Sequence, residues 1–232
     1  MQSLTNEHAT IPKDGEKEQI ARIMRQGRLD DIPKISAIAA AYLNEATLDD
    51  KIIERWFNAN PEILRVIECN HNPHTGKQEP HLCGYYILIP IDASFAELIK
   101  KDAIPHEDIP ASAIKEYSDP TVSSVFFIDL MAHYPICKGK YCGQITAAHI
   151  VYDFACILND FSNRCPHIQE IITMPMTRES KLLVKRFGLK KDHTFKSHPD
   201  WELWTIETSV LAKHAPDVIK KLSSKFQLFL DK

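Results

Sequence analysis

The sequence predicts an α/β (α+β) fold in which a central twisted sheet of mixed strand direction is flanked by helices. Apolar residues recur at a spacing of two in some segments and at helical spacing in others, in the order β-α-α-β-β-β-α-β-α-β-β-α. At 125–158 a strand, a short glycine-containing loop and a long apolar helix follow one another. The strand before this loop and the strand after its helix are expected to form the parallel pair of the sheet.

Length, composition and charge limit the classes of protein to which the chain can belong. Its 232 residues are 44% hydrophobic and 25% charged, as in a globular domain large enough to bury a core. The net charge of −3 argues against a nucleic-acid or anionic-membrane partner, and no apolar run approaches the roughly 18 residues of a spanning helix. Residues 1–18 lack the apolar centre of a secretory signal, so a flexible tail and a cytoplasmic location are expected.

The first elements are a strand and two helices. Residues 20–28 alternate apolar and polar side chains, which predicts a half-buried strand. Apolar residues at helical spacing over 32–42 predict the first helix. Thr47 and Asp50 have the spacing of a capping box, with Thr47 reaching the third amide of the helix and Asp50 reaching back. They predict that a second helix begins here and covers 48–59.

A hairpin and an insertion follow these helices. Strands are predicted at 63–68 and 82–89, on either side of a polar loop. Residues 92–120 break the strand pattern and carry seven acidic residues against three lysines. Short helical turns are expected at 95–101 and 111–117. We expect an insertion that covers one face of the sheet, inside a domain that spans 19–208.

The later elements complete the sheet and its helical cover. The long apolar helix is expected to open near Gln144. Gly188 is suited to end the helix after it, and Pro216 to begin the last helix, which we expect to pack on the domain. In order, these elements are a strand at 168–175, a helix at 178–187, a strand pair at 193–208 and a helix within 209–232.

The cysteines allow two interpretations. None of the six forms a C-x-x-C pair, and a chain of this kind is expected to keep its thiols reduced. Symmetric pairing of the hairpin would place Cys69 opposite Cys83 and His71 opposite His81, and two thiolates with two imidazoles are zinc ligands. The spacing is not that of a standard zinc finger, however, and flat cross-strand neighbours do not easily form a tetrahedron. Buried thiols and loop histidines without a metal are therefore expected.

The loop at 138–143 is the first candidate functional site. It has the sequence Lys-Gly-Lys-Tyr-Cys-Gly and lies between a strand and the N-terminus of a helix. Backbone N–H groups at such a terminus are unpaired and the positive end of the helix dipole faces the loop, so the loop is suited to hold a phosphate. The alternative is a plain connection whose lysines face solvent.

Over 20–208 the chain resembles the GNAT superfamily of N-acetyltransferases. The loop at 138–143 aligns with the family's acetyl-CoA pattern, which is Gln or Arg, two residues, Gly, one residue, and Gly or Ala. A second family signature is Phe187-Gly188 at the end of the late helix. The resemblance implies that the loop binds acetyl-CoA and that the protein transfers an acetyl group to an amine.

The chain departs from the family pattern in several places. Lys138 replaces the leading Gln or Arg, and Tyr141 replaces the central glycine with a side chain that would crowd a ligand close to the backbone. Val184 stands where many members carry a tyrosine as general acid, so the resemblance assigns no general acid. Residues 130–138 are about one residue longer than usual, so we expect an altered bulge in this strand.

The resemblance implies two candidate bases and a set of cofactor contacts. Asp129 stands where a carboxylate often lies on this strand and would take the ammonium proton; a solvated strand-end residue is the alternative. His133 is the other candidate, or is merely hydrogen-bonded. A route through an acylated Cys142 is less favoured than direct transfer. The residues expected to contact acetyl-CoA are Met131, Ala132, His133, Lys138, Gly139, Lys140, Tyr141, Cys142, Gly143 and Gln144.

The sequence therefore predicts an acyltransferase that moves acetyl from acetyl-CoA to the amine of a small molecule or a protein by direct attack. The alternative is a GNAT-fold module without catalysis, which acts through CoA sensing or protein contacts. A zinc-bearing interaction protein built on the Cys69/Cys83 hairpin is a third hypothesis. The sequence is compatible with a homodimer and does not identify the acceptor.

Overall fold

A seven-stranded sheet with helices on both faces forms the fold, and this confirms the predicted class. The computed structural model describes residues 22–43, 48–69, 80–132, 142–211, 213, 216, 217 and 219–221. The strands are β1 Arg22–Gln26, β2 Leu64–Cys69, β3 His81–Asp92, β4 Val122–Ala132, β5 Glu170–Thr173, β6 Lys190–Thr194 and β7 Glu202–Glu207. The helices are α1 Ile32–Leu43, α2 Asp50–Ala59, α3 Ala93–Lys100, α4 Cys142–Arg164 and α5 Arg178–Arg186.

The sheet has one parallel pair at its centre. Its strand order is β1-β2-β3-β4-β5-β7-β6. The pair β4–β5 is parallel and is connected through α4, as the sequence predicts, whereas the other neighbouring strands are antiparallel. A parallel pair needs such a long crossover, while hairpins suffice elsewhere.

Alternation of side chains along the strands divides the apolar interior into two cores. Tyr85, Ile87 and Ile89 of β3 lie in a core with residues of α1, α2 and α3, which we call the first core. Tyr86 and Leu88 point to the other face and lie in a core with residues of α4 and α5, the second core. Successive strand residues point to opposite faces, so a central strand covered on both sides is apolar throughout.

Residues 93–114, between β3 and β4, cover the first-core face. They form α3 and the short 3₁₀ turns His106–Asp108 and Ala111–Ala113, so the second predicted helical turn is shorter than expected. The indole of Trp56 in α2 donates a hydrogen bond of 2.9 Å to the carbonyl of Ile109. The Lys100 ammonium of α3 lies 2.8 Å from the Glu170 carboxylate at the start of β5. These contacts hold the segment against α2 and the sheet.

The start of α2 and the end of α5 can be compared with the capping residues that the sequence predicts. The N-cap of α2 is Asp49, whose carboxylate accepts a hydrogen bond of 2.8 Å from the amide of Lys51. The predicted capping box is therefore wrong about the start of this helix, and Thr47 lies outside the described residues. The prediction for Gly188 is confirmed: its φ is 87°, in the left-handed region that glycine adopts without strain.

The chain beyond β7 is helical at 208–211, 213, 216, 217 and 219–221, where it is described. Ile219 packs against the second core. Among the described helices, none combines the length and apolar character that crossing a membrane requires.

Candidate functional site

A bulge in β4 marks the place where the sheet opens. Phe127 and Asp129 pair with successive residues of β3, so Ile128 between them is an extra residue. On the other side of β4, the pairing with β5 ends at Phe127 and Thr173. A bulge bends its strand and increases the local twist, and β5 itself ends at Thr173, next to this bulge. Bulges of this kind often re-aim residues beside a functional site.

The part of β4 beyond the bulge has an open backbone edge. Residues 129–132 pair with β3 on one side as far as Gly84. Within the described part of the chain, no strand pairs with their other edge. An open edge presents alternating N–H and C=O groups, which an extended ligand can meet as an additional strand would. This arrangement therefore offers backbone hydrogen bonds to an extended, amide-containing molecule.

The N-terminus of α4 lies at the same end of the sheet as this open edge. Arg22, the first residue of β1, donates a hydrogen bond of 3.1 Å from its Nε to the hydroxyl of Thr146 in the first turns of α4. Further along the helix, Phe154 meets Phe127 of β4 with ring centroids 4.6 Å apart. The helix therefore runs back from the end of β4 toward its beginning, and its first N–H groups are left without intrahelical partners near the open edge.

The electrostatics at this end of α4 favour an anion. The helix dipole places partial positive charge at its N-terminus, and the guanidinium of Arg22 adds a full charge nearby. Burial, with a smaller contribution from Arg22, lowers the pKa of His149 to about 4, so this imidazole is neutral at pH 7. A phosphate at the helix terminus would meet cationic and dipolar partners together.

Two groups of buried contacts fix α4 against the sheet. The carboxylate of Asp153 receives hydrogen bonds of 3.2 and 3.0 Å from Arg65 of β2 and one of 2.5 Å from the hydroxyl of Tyr86 in β3. Burial, followed by the charge of Asp153, raises the pKa of Tyr86, which therefore stays protonated and donates. The ring of Phe154 lies next to Tyr86, Phe127 and Phe187. The direction of the helix N-terminus depends on these contacts.

The structure places the predicted site residues in three groups. Asp129 is the first residue after the bulge in β4, and Met131 and Ala132 lie on the open edge. The helix begins at Cys142 rather than near Gln144, so the last two residues of the predicted loop belong to α4. Residues Cys142, Gly143 and Gln144 form its first turn. Outside the described residues lie His133, Lys138, Gly139, Lys140 and Tyr141.

Val184 occupies a core position in α5. Its side chain is 2% exposed and packs in the second core. The same core contains Phe187 and Leu189. At this position the chain uses an apolar contact between α5 and the sheet, and Val184 supplies no proton donor.

The hairpin cysteines require a correction. The register places Cys69 opposite His81 and not opposite Cys83, because Cys83 is an extra residue in β3 at a bulge. Cys69 and Cys83 are nevertheless adjacent, with their Cα atoms 6.3 Å apart, a separation that a disulfide spans, and the expectation of reduced thiols stays a prediction for this pair. His71 lies outside the described residues, and among those described no three His, Cys, Asp or Glu side chains are grouped to hold a metal.

The contacts that position α4 were not predicted from the sequence. Asp153 occurs within an apolar helical stripe with Ile150 and Phe154, and a single acid on such a face is a signal for a buried partner. The partner itself, Arg65, lies 88 residues away along the chain and could not be identified from spacing.

Comparison with known proteins identifies the fold of the chain. By sequence, no family model and no curated protein matches the chain. The structure is similar to the loading GNATL domain of CurA from Lyngbya majuscula, with a TM-score of 0.50 and 10% identity over 82% of this chain and 98% of that one. It is also similar to NAA60 of Arabidopsis thaliana in complex with acetyl-CoA, with a TM-score of 0.52 and 14% identity over 81% of this chain and 99% of that one. The chain therefore has the GNAT fold.

Proposed function

We propose that this protein transfers an acetyl group from acetyl-CoA to an amine of a small molecule or a protein. The observation that carries the proposal is the open edge of β4 beyond the bulge, beside the N-terminus of α4. The pantetheine part of acetyl-CoA is extended and contains amides, so it would fit the open edge of β4. The pyrophosphate of acetyl-CoA would fit the N-terminus of α4. NAA60, which shares the fold, was solved with acetyl-CoA bound, and this supports the choice of ligand.

The proposed chemistry is direct attack on the thioester. The amine nitrogen forms a bond to the carbonyl carbon, the C–S bond breaks, and the sulfur leaves as a thiolate that takes up a proton. Backbone N–H groups at Met131–His133 would stabilise the negative charge that develops on the carbonyl oxygen. Before the attack, Asp129 or His133 would take a proton from the ammonium form of the acceptor, directly or through water, and so free the lone pair of the amine nitrogen. Holding the two reactants together contributes much of the rate, so the absence of a tyrosine at Val184 does not exclude catalysis.

Acetyl-CoA is expected to stabilise the fold against heat. A ligand present at 100 times its Kd adds about 2.7 kcal/mol to the free energy of unfolding. For a chain of this length that shift raises the melting temperature by about 5–10 °C. A thermal melt with and without millimolar acetyl-CoA measures it, and ATP at the same concentration controls for a general effect of phosphates.

An unmoved midpoint at millimolar acetyl-CoA contradicts the proposal. A shift without any release of free thiol over a panel of amines would favour the second candidate, a module that binds CoA without catalysis. Val184 favours this second candidate. Its side chain is buried in the second core and stands where many family members carry a tyrosine as general acid.

Replacing Asp129 by asparagine is expected to slow acetyl transfer by about 100-fold, since a positioned general base contributes about two to four orders of magnitude. Asparagine keeps the size of the side chain, so the stabilisation by acetyl-CoA in the thermal melt should be retained. Release of free thiol, followed with a thiol reagent, measures the rate once an acceptor has been found.

The matched control for this experiment is Asp192→Asn. Asp192 lies in β6, is exposed and hydrogen-bonds His193 at 3.0 Å. Its replacement should leave the rate of transfer unchanged. Wild-type rates in Asp129→Asn would remove Asp129 from the mechanism and leave His133 as the candidate base.

A further inference from the structure

A cavity of about 160 Å³ lies on the first-core face, between the inserted segment and the loop that joins β6 to β7. A cavity of about 150 Å³ holds one benzene molecule, so this one accepts a group of about five or six heavy atoms. It is lined by Ile99, Asp102, Ala103, Ile104, Pro105, His106, Met174, Phe195, Ser197, His198 and Trp201.

The cavity lies near the end of β5. Met174 follows the last residue of β5, and the ring of His106 lies 6.1 Å from that of Phe126 in β4. Met131, on the open edge of β4, packs against the same first core. Helix α4 covers the opposite face. A molecule in this cavity would therefore lie on the face of the sheet away from α4.

The lining combines an apolar interior with an aromatic group. Trp201 stacks against His198 with ring centroids 4.2 Å apart and lies 5.6 Å from the ring of His106. Burial lowers the pKa of His106, so this ring is neutral at pH 7 and does not repel a cation. Indole is the aromatic ring that attracts cations most strongly.

The lining contains one acidic side chain and two histidines. Asp102 is its only acid, and the lining contains no lysine or arginine. The backbone amide of Ser197 donates to the Asp102 carboxylate at 2.8 Å, and its hydroxyl donates a second, short hydrogen bond. These donors, the hydroxyl first, lower the pKa of Asp102, so the carboxylate is ionised at neutral pH. A lining that combines a carboxylate, an indole and apolar side chains suits a compact cation with a short alkyl chain.

We propose that this cavity binds a compact alkylammonium group and is the acceptor site of the transferase. The first part stands on the cavity alone, and the second part rests on the proposed function. The inserted segment, which supplies Asp102 and His106, would then select the acceptor. The predicted acceptor class is a small primary amine whose alkyl portion is no larger than about four to six carbons.

Direct binding of n-butylamine tests the cavity without acetyl-CoA. Saturation-transfer NMR at pH 8, with the full chain, compares n-butylammonium with n-butanol and butyrate, which have nearly the same size and differ in charge. We expect n-butylammonium to bind about tenfold more tightly than n-butanol, and butyrate to bind least. Equal affinity for the three probes, or no saturable binding, overturns the proposal.

Two variants locate the binding. Asp102→Asn should weaken n-butylammonium at least about fivefold and leave n-butanol unchanged, because only the charge is lost. Asparagine also tolerates the left-handed backbone of Asp102, whose φ is 57°. Ala103 is exposed and lines the cavity, so Ala103→Leu should fill it and abolish binding of both probes.

Asp119→Asn is the matched control. Asp119 lies in the same inserted segment and accepts hydrogen bonds from the amide and the hydroxyl of Thr121, at 2.8 and 2.6 Å, but does not line the cavity. An equal loss of binding in this control would show that charge anywhere on the surface suffices, and would overturn the assignment to Asp102.

The acetyl-CoA melt separates failure of this proposal from failure of the proposed function. If acetyl-CoA stabilises the protein and n-butylammonium does not bind, the cavity assignment is wrong and the transferase proposal stands. If n-butylammonium binds through Asp102 and acetyl-CoA has no effect, the cavity is an amine site in a protein that is not a transferase, which overturns the second part of the proposal.

Discussion

Replacing Phe154 by alanine is expected to lower the free energy of unfolding by about 3–5 kcal/mol. The ring is 2% exposed and lies against three other rings from three elements, Tyr86 of β3, Phe127 of β4 and Phe187 after α5, with centroids 4.6–5.6 Å apart. Alanine removes these contacts and leaves a cavity that the rigid sheet cannot close. Urea unfolding measures the loss as a lower midpoint at an unchanged slope.

The same change is expected to weaken binding of acetyl-CoA in the protein that remains folded. Phe154 holds the middle of α4 over the sheet, and the direction of the helix N-terminus depends on that contact. Leu182→Ala in α5, at a side chain that is 50% exposed, is the control and should cost no more than about 0.5 kcal/mol. A loss below about 1.5 kcal/mol in Phe154→Ala would mean that the second core does not depend on this ring.

Most strands and helices of this fold could be predicted because their signals are local. The β-branched and aromatic residues that predicted strands at 63–68 and 82–89 are largely buried in β2 and β3. Gly188 could be predicted to end α5 because glycine alone adopts its φ of 87° without strain. The parallel pair β4–β5 followed from the connection through α4.

The predictions that were wrong concern the start of α2 and the register of the β2–β3 hairpin, which the spacing of residue types along the sequence does not determine. Thr47 and Asp49 are both good N-cap residues two positions apart, and the sequence could not decide between them. The bulge at Cys83 shifts the hairpin register by one residue, and this invalidated the symmetric pairing of the two cysteines and two histidines. A bulge leaves no fixed residue pattern, so neither this one nor that at Ile128 could be located in advance.

The candidate site could be predicted in outline only. The end of the strand and the start of the helix that enclose it were expected, and Asp129 was placed on that strand correctly. The roles of Asp129 and His133 stay predictions. The cavity beside Trp201 was not foreseen, because its walls come from the inserted segment and the β6–β7 loop, which are close only in the folded chain.

Replacing Asp153 by alanine is expected to cost about 3 kcal/mol of unfolding free energy, since it leaves two buried donors without an acceptor. The hydroxyl of Tyr86 is on a fully buried side chain, and the guanidinium of Arg65 has a side chain only 20% exposed. Asp160→Ala is the matched control on the same helix: its side chain is 47% exposed and its ion pair with Arg164 measures 4.0 Å. That change should cost less than about 0.5 kcal/mol.

A double variant distinguishes a specific ion pair from simple loss of packing. Arg65→Met with Asp153→Leu replaces both charges by apolar groups, and such replacements are often neutral or stabilising when the volume is kept. The Tyr86 hydroxyl loses its acceptor in Asp153→Leu and in the double variant alike, so we expect the double variant to be more stable than Asp153→Leu. A cycle with the single variants Arg65→Met and Asp153→Leu should give a coupling energy of about 1 kcal/mol or more between the two sites. Additive losses would show that the charges do not interact across the 88 residues that separate them. Recovery of stability without recovery of acetyl-CoA binding would show that the pair also sets the direction of α4, because apolar packing can hold the helix but cannot fix its orientation through directed hydrogen bonds.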